Sequence, residues 1–209
     1  MHKILEKFYK GMISSSDALV LYLTKFHEET AGSGRPKPEI VQKYFQLGKE
    51  YVKDIKQLPF ETVAVEERIH FDVCGKKFQG VIDYIGIEDG EYVIVDNKSR
   101  DLKPRSNRSK PTLKDAELDK MLRQLYIYAA AVKEKYGKFP KWLCFNCFKS
   151  GVFIKEEFDM QKYEQTVKWA VDLIEEIENV DRFCPDKEFF RCYYLCGMSE
   201  HCCYNKQTS

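Results

Sequence analysis

Nowhere in the 209 residues is there an apolar run approaching the roughly 20 that a spanning helix needs, which excludes a helical membrane protein. The N-terminus, MHKILEKFYK, is amphipathic and charged and lacks the apolar core of a secretory signal, so a cytoplasmic protein is expected. Charge of one sign is also scarce. The net charge is only +1, so composition gives no global argument for a polyanionic partner. Internal repeats and low-complexity tracts are missing, which excludes solenoids and disordered arrays. With 44% hydrophobic and 32% charged residues, the chain has the composition of one globular domain with a sizeable core.

The richest stretch is GVIDYIGIEDGEYVIVDNK, residues 80–98. Asp89-Gly90 is a strong hairpin signal between two β-branched runs, Phe78–Ile87 and Glu91–Asp96. Asp83 is expected near the end of the first strand, with Asp96 and Lys98 at the end of the second. Pairing the strands brings Asp83 close to Asp96, and residues two apart on a strand share a face, so Asp96 and Lys98 project together. Both acids emerge from apolar strands, where charge is costly unless it is paired or metal-bound. Acids and a lysine at strand ends are also common as plain surface residues. Read as a site, two carboxylates and one ammonium offer a hard-metal centre with a cationic helper, suited to phosphodiester hydrolysis.

Helical periodicity predicts helices at 2–10, 16–29 and 38–56, with the Gly/Pro-rich connector TAGSGRPKPE (30–39) as a hinge candidate. Alternation over Thr62–Val73 predicts a strand ahead of the hairpin. A long helix is expected at 115–136, strands at 141–148 and 151–157, and a last helix at about 160–180 with Tyr163, Val167, Ala170, Val171, Ile174 and Ile177 inward. The fold class that follows is α/β, a mixed central sheet flanked by helices, with a helical N-terminal lobe.

From Lys98 to Lys114 seven basic residues face one acid, Asp101. Pro104, Pro111 and several Ser and Asn make this a loop. Its alternatives are an ordinary solvated loop or a phosphate clamp leaving the carboxylate site, with Arg100, Lys103, Arg105, Arg108 and Lys110 as nucleic-acid contacts. Of the eight cysteines, Cys74, Cys144 and Cys147 read as core residues, while Cys184, Cys192, Cys196, Cys202 and Cys203 crowd into the final 26 positions. These read as reduced thiols or metal ligands rather than a disulfide framework.

The set GVID…DNK with RQLYIY downstream resembles the PD-(D/E)xK nuclease superfamily, and within it the RecB-type nuclease domain of phage exonucleases and CRISPR-adaptation nucleases. The resemblance places the first acid at Asp83, the second acid and lysine at Asp96 and Lys98, the Gln-x-x-x-Tyr motif at Gln124 and Tyr128, and the early helical histidine at His2. The match holds from residue 2 to about 155 and implies a restriction-endonuclease-like fold, and the length of the chain fits a single domain over 1–209. That domain divides into a helical lobe at 1–58, a nuclease core at 59–182 and a Cys-rich tail at 183–209. It further implies Mg²⁺ or Mn²⁺ held by Asp83, Asp96, the Asn97 backbone carbonyl and His2, with Lys98 assisting the attacking water and Gln124 and Tyr128 organising the strand. Without the resemblance, Tyr128 reads as a core residue, and His2 can be an exposed terminal histidine. Several branches of the family hold an iron–sulfur cluster on C-terminal cysteines. The spacing here allows a 4Fe-4S cluster, Zn²⁺ with His201, or no metal. The expected activity is that of a DNase acting on ends or single strands in recombination, repair or mobile-element processing. The rival reading is a non-catalytic nucleic-acid-binding subunit of a larger recombination complex.

Overall fold

A computed structural model describes residues 1–31, 37–181, 188–199 and 201–204. The chain runs α1 (His2–Tyr9), α2 (Ser15–Thr30), α3 (Pro38–Lys53), β1 (Glu61–Val73), β2 (Lys76–Glu88), β3 (Glu91–Lys98), α4 (Leu113–Tyr136), β4 (Trp142–Cys147), β5 (Val152–Glu157) and α5 (Met160–Asn179), with a short π-helical turn at Arg191–Leu195. No described helix is long and apolar enough to cross a membrane.

Local chemistry sets these boundaries. Ser14 with Asp17, and Thr112 with Asp115, form reciprocal capping boxes that satisfy the first free N–H groups of α2 and α4. Pro38 opens α3, where its missing N–H costs nothing, and left-handed Gly137 closes α4. The β1–β2 and β2–β3 hairpin turns are two residues long with positive φ throughout, Cys74-Gly75 and Asp89-Gly90, the backbone that matches strand twist. Cys74 is therefore exposed at a turn rather than in the core. Cys144 and Cys147 are buried as expected.

The sheet order is β1-β2-β3-β4-β5, antiparallel except for the parallel β3–β4 pair, whose crossover is carried by α4. This is a mixed five-stranded sheet flanked by helices, the restriction-endonuclease-like arrangement. One face packs against α4 and α5 through Ile94, Leu118, Leu122, Leu125, Phe145 and Ile154. The other face carries α1 through Leu5, Phe8, Val93, Val95 and Cys144, and beyond it a helical cluster built on Ala18, Tyr22 and Val52. The α5 helix is shorter in its contacts than its sequence period predicts, since Ile177 is largely exposed. The centre of the connector, residues 32–36, and residues 182–187 of the tail lie outside the described residues.

One irregularity matters for the site. Along β2, Ile82 packs in the α4 layer, yet Tyr84, two residues on, packs in the α1 layer. On β1, Val65 and Ile69 divide between the layers in the same way. The period-two alternation therefore reverses between them, and at that point β1 carries Glu66 with φ +54°. The ladder partners pass from Val65–Tyr84 to Glu67–Ile82, which sets Glu66 opposite Asp83 at the reversal.

Candidate active site

Asp83 lies in the middle of β2 rather than near its end, but it is the last residue before β2 and β3 pair: their ladder begins at Tyr84–Val95. The next step of that register would set Asp83 opposite Asp96. There the Asp83 carboxylate substitutes for the missing backbone acceptor, taking a 2.7 Å hydrogen bond from the Asn97 N–H. Glu66, Asp83 and Asp96 thus occupy one cross-strand row on β1, β2 and β3.

From α1, His2 reaches the row, with Nδ1 3.4 Å from Asp83 Oδ2. Ligand atoms of His2, Glu66 and Asp83 all lie within 4.8 Å of one another, the one group of three or more His, Cys, Asp or Glu so placed among the described residues. The hydrogen bond to Asp83 holds the His2 imidazole above its ordinary pKa. Glu66 is also shifted upward, first by burial and then by repulsion from Asp83. Sequence reading missed Glu66: alternation in a strand does not distinguish it from a surface acid, and only the backbone reversal sets it opposite Asp83.

Asp96 is the most enclosed member, 5% exposed. Burial raises its pKa, partly offset by Lys98. Lys98 Nζ lies 2.8 Å from Asp96 Oδ2, an ion pair that is the only partner of this buried oxygen among the described residues. The same ammonium donates to Gln124 Oε1 at 2.7 Å, and Gln124 Nε2 donates to Tyr128 Oη at 3.1 Å. Gln124 and Tyr128 are one turn apart on α4 and share a face, as their spacing predicts. Tyr128 sits directly on Gly80, where an added Cβ would lie 2.9 Å from its Cε1. The glycine three residues before Asp83 is there so that the ring can close down on β2.

On the opposite face, Asn97 is buried and its side-chain oxygen accepts from Asn146 Nδ2 at 2.8 Å. Asn146 also contacts the hydroxyls of Tyr51 and Tyr9 at 2.7 and 3.2 Å. This polar network ties β3 and β4 to α1 and α3 beneath the row, which fixes where α1 presents His2.

The basic loop is fastened. Leu102 is buried in the α4 layer, and Asp115 accepts from the N–H and hydroxyl groups of both Ser106 and Thr112 at 2.6–2.7 Å. These bonds hold the Asp115 carboxyl well below the usual range. Arg105 is turned to internal use, bound to Asp119 and Glu156, and Arg100 pairs with Glu117. Lys103, Arg108 and Lys110 are exposed and have no carboxylate partner among the described residues. In the tail, Lys37 Nζ lies 3.4 Å from the centre of the Tyr193 ring, against the start of α3. Cys192, Cys196, Cys202 and Cys203 do not gather into a ligand set among the described residues, and Cys184 lies outside them.

The donor set fits a hard divalent cation. It offers carboxylate oxygens and one imidazole, burial raises the pKa of both Glu66 and Asp96, and the buried Oδ2 of Asp96 has no partner beyond its ion pair with Lys98. An acidic row with a clamped lysine on such a sheet is the architecture of a metal-dependent hydrolase. A family model for the PD-(D/E)XK nuclease superfamily matches residues 1–204, and the chain belongs to that superfamily of metal-dependent nucleases. Four solved chains also match. One, the crystal structure of SSO0001, is 19% identical and covers 97% of this chain and 95% of that chain, with a TM-score of 0.36. At that level of similarity it carries no argument about fold or function. Among curated proteins none matches.

Proposed function

We propose that the chain is a cytoplasmic Mg²⁺- or Mn²⁺-dependent deoxyribonuclease of the RecB type. In this reading it acts as an exonuclease on DNA ends or single strands in recombination, repair or mobile-element processing. The observation that carries the reading is the row itself: Glu66, Asp83 and Asp96 on three strands, with Lys98 held between Asp96 and Gln124.

Asp83, Asp96, the Asn97 carbonyl and His2 are the residues that would hold the ion, with Glu66 added by the geometry. A divalent ion there would supply Lewis-acid stabilisation of the phosphoryl oxygens and acidify the attacking water. Lys98 has three N–H donors. One goes to Gln124, the charge is balanced by Asp96, and the remainder point a fixed positive group at the position where negative charge develops. Gln124 and Tyr128 keep that ammonium from swinging away. Lys103, Arg108 and Lys110 are the loop cations left free to meet phosphate, whereas Arg100 and Arg105 are already engaged. Acids that repel phosphate have no use in a module that only binds DNA, which favours catalysis over the binding-subunit reading.

The test is digestion of end-labelled single- and double-stranded DNA with and without Mn²⁺, wild type beside Lys98→Ala. Metal-dependent cutting that is lost in the variant supports the reading, and the product ladder reports polarity. If neither protein cuts while both bind DNA equally, the chain is a binding subunit.

A further inference from the structure

Immediately beside the catalytic row is a cavity of about 200 Å³ that the chemistry above does not use. Its walls include Tyr22, Phe26, Tyr44 and Phe148, with Ser99 and Lys149 as polar members. Its position is set by the catalytic strand. Ser99 follows Lys98 directly, Phe148 donates its N–H to the Lys98 carbonyl at 3.1 Å, and the Phe148 ring meets His2 edge-on at 6.1 Å. Where the row ends, the cavity begins.

The cavity is built rather than left over. An added Cβ at Gly48 would lie 2.1 Å from Tyr22 Oη, so the glycine makes room for that phenol. Tyr22 then donates to the carbonyls of Tyr44 and Phe45, each at 3.2 Å, which locks the wall between α2 and α3. Lys149 lies 4.7 Å from the centre of the Tyr44 ring and pairs with no carboxylate among the described residues. An aromatic recess with a cation that no carboxylate neutralises, next to a phosphodiester-cutting row, matches a nucleotide: a flat π-face for the rings and positive charge for the phosphate. Size agrees, since an apolar cavity of about 150 Å³ already takes a benzene ring.

We propose that this cavity receives one unpaired nucleobase of the strand being cut, stacked against Tyr44, with Lys149 on the adjoining phosphate. A base enters such a recess only when it is out of its duplex, so the subsite selects single-stranded or frayed DNA. This rests on the nuclease reading and adds to it what the substrate must look like at the point of cleavage.

The experiment uses the full chain, with Ca²⁺ replacing Mn²⁺ to hold DNA without cutting, and single-stranded oligonucleotides carrying 2-aminopurine at successive positions. One position should quench on binding, and Tyr44→Leu should remove the quench. In Mn²⁺, Tyr44→Leu should lower kcat/KM on the intact strand about 10-fold, the size of one stacking contact. That penalty should collapse on a strand with an abasic residue at the quenched position. Lys149→Ala, an independent and structurally mild change, should weaken binding and reduce its salt dependence by about one phosphate contact. A Tyr44→Leu penalty of equal size on intact and abasic strands, or no position that quenches, overturns the proposal. If the wild type cuts nothing, the nuclease reading fails, yet the quench pattern still decides whether the recess holds a base.

Discussion

Replacing Gly80 by alanine probes the link between the sheet and the lysine clamp. The new methyl carbon would sit 2.9 Å from Tyr128 Cε1 and 3.1 Å from Oη, closer than carbon contacts allow, so the ring must move outward. Gly80 has no left-handed backbone to preserve, so alanine gains about 0.5–1 kcal/mol by restricting the unfolded chain. Overpacking costs about 1–3 kcal/mol, and Tyr128 is only half-buried and can yield, so the net loss of stability should be about 1 kcal/mol. The larger effect is catalytic. A displaced Tyr128 releases Gln124, which then no longer holds Lys98 at 2.7 Å. Misplacement of a catalytic group by about 1 Å costs on the order of 100-fold in rate. The assay is Mn²⁺-dependent cleavage of single-stranded DNA at saturating substrate, beside a thermal melt. A kcat loss of about 30- to 100-fold with a small melting shift is expected, and Gly80→Ala with Tyr128→Leu should melt like the wild type. A Gly80→Ala protein with full kcat would refute the argument that the glycine serves to seat Tyr128 and, through it, the lysine.

Lys98→Ala should lower kcat by about 100- to 10,000-fold, the range of a positioned proton-transfer or charge-stabilising group, and Lys98→Arg should not rescue it because the guanidinium fork does not fit a site built for a point charge. Asn146→Ala should destabilise the protein by about 2 kcal/mol in a urea titration, because Asn97 Oδ1 loses its donor inside the core. Mn²⁺ should raise the melting temperature, and by less in Asp96→Asn, since an ion at 100 times its Kd adds about 2.7 kcal/mol to the folded state. That shift should also grow with pH. The His2–Asp83 pair, with the imidazole pKa raised, stabilises the metal-free protein below the unfolded histidine pKa, and this contribution fades as pH rises through the folded value. A cation competing for the same nitrogen gains as the proton leaves, so His2→Ala should flatten the pH dependence of the shift measured by differential scanning fluorimetry.

Much of the acidic row was legible because its signals are local. Asp89-Gly90 fixes the hairpin register, and register alone carries Asp83 to Asp96 and puts Lys98 on the face of Asp96. The Gln124–Tyr128 spacing made the α4 side readable in the same way. Glu66 was not, because its approach depends on a left-handed residue that reverses the strand, and nothing in TVAVEERIH marks a non-glycine for positive φ. Arg105 shows the complementary limit. Its partners Asp119 and Glu156 come from α4 and β5, so a charge count along the loop could not reveal that this cation was already neutralised. Cys74 was assigned to the core from its strand-like neighbourhood, but turn geometry took precedence over hydropathy there.

The parallel pairing of β3 with β4 has a consequence for how the protein comes into being. Every acid of the row, and Lys98, is synthesised before the segment that holds them in place. Gln124 and Tyr128 follow on α4, and Asn146 comes last, on the strand that covers the open edge of β3. A ribosome adds about 5–20 residues per second, so β3 waits several seconds for β4 with its Val93-Ile94-Val95 edge unpaired. During that interval the nascent chain carries the acidic row and Lys98 without the partners on α4 and β4 that align them. The same delay leaves an apolar strand edge bare, a template for pairing with another chain until β4 covers it.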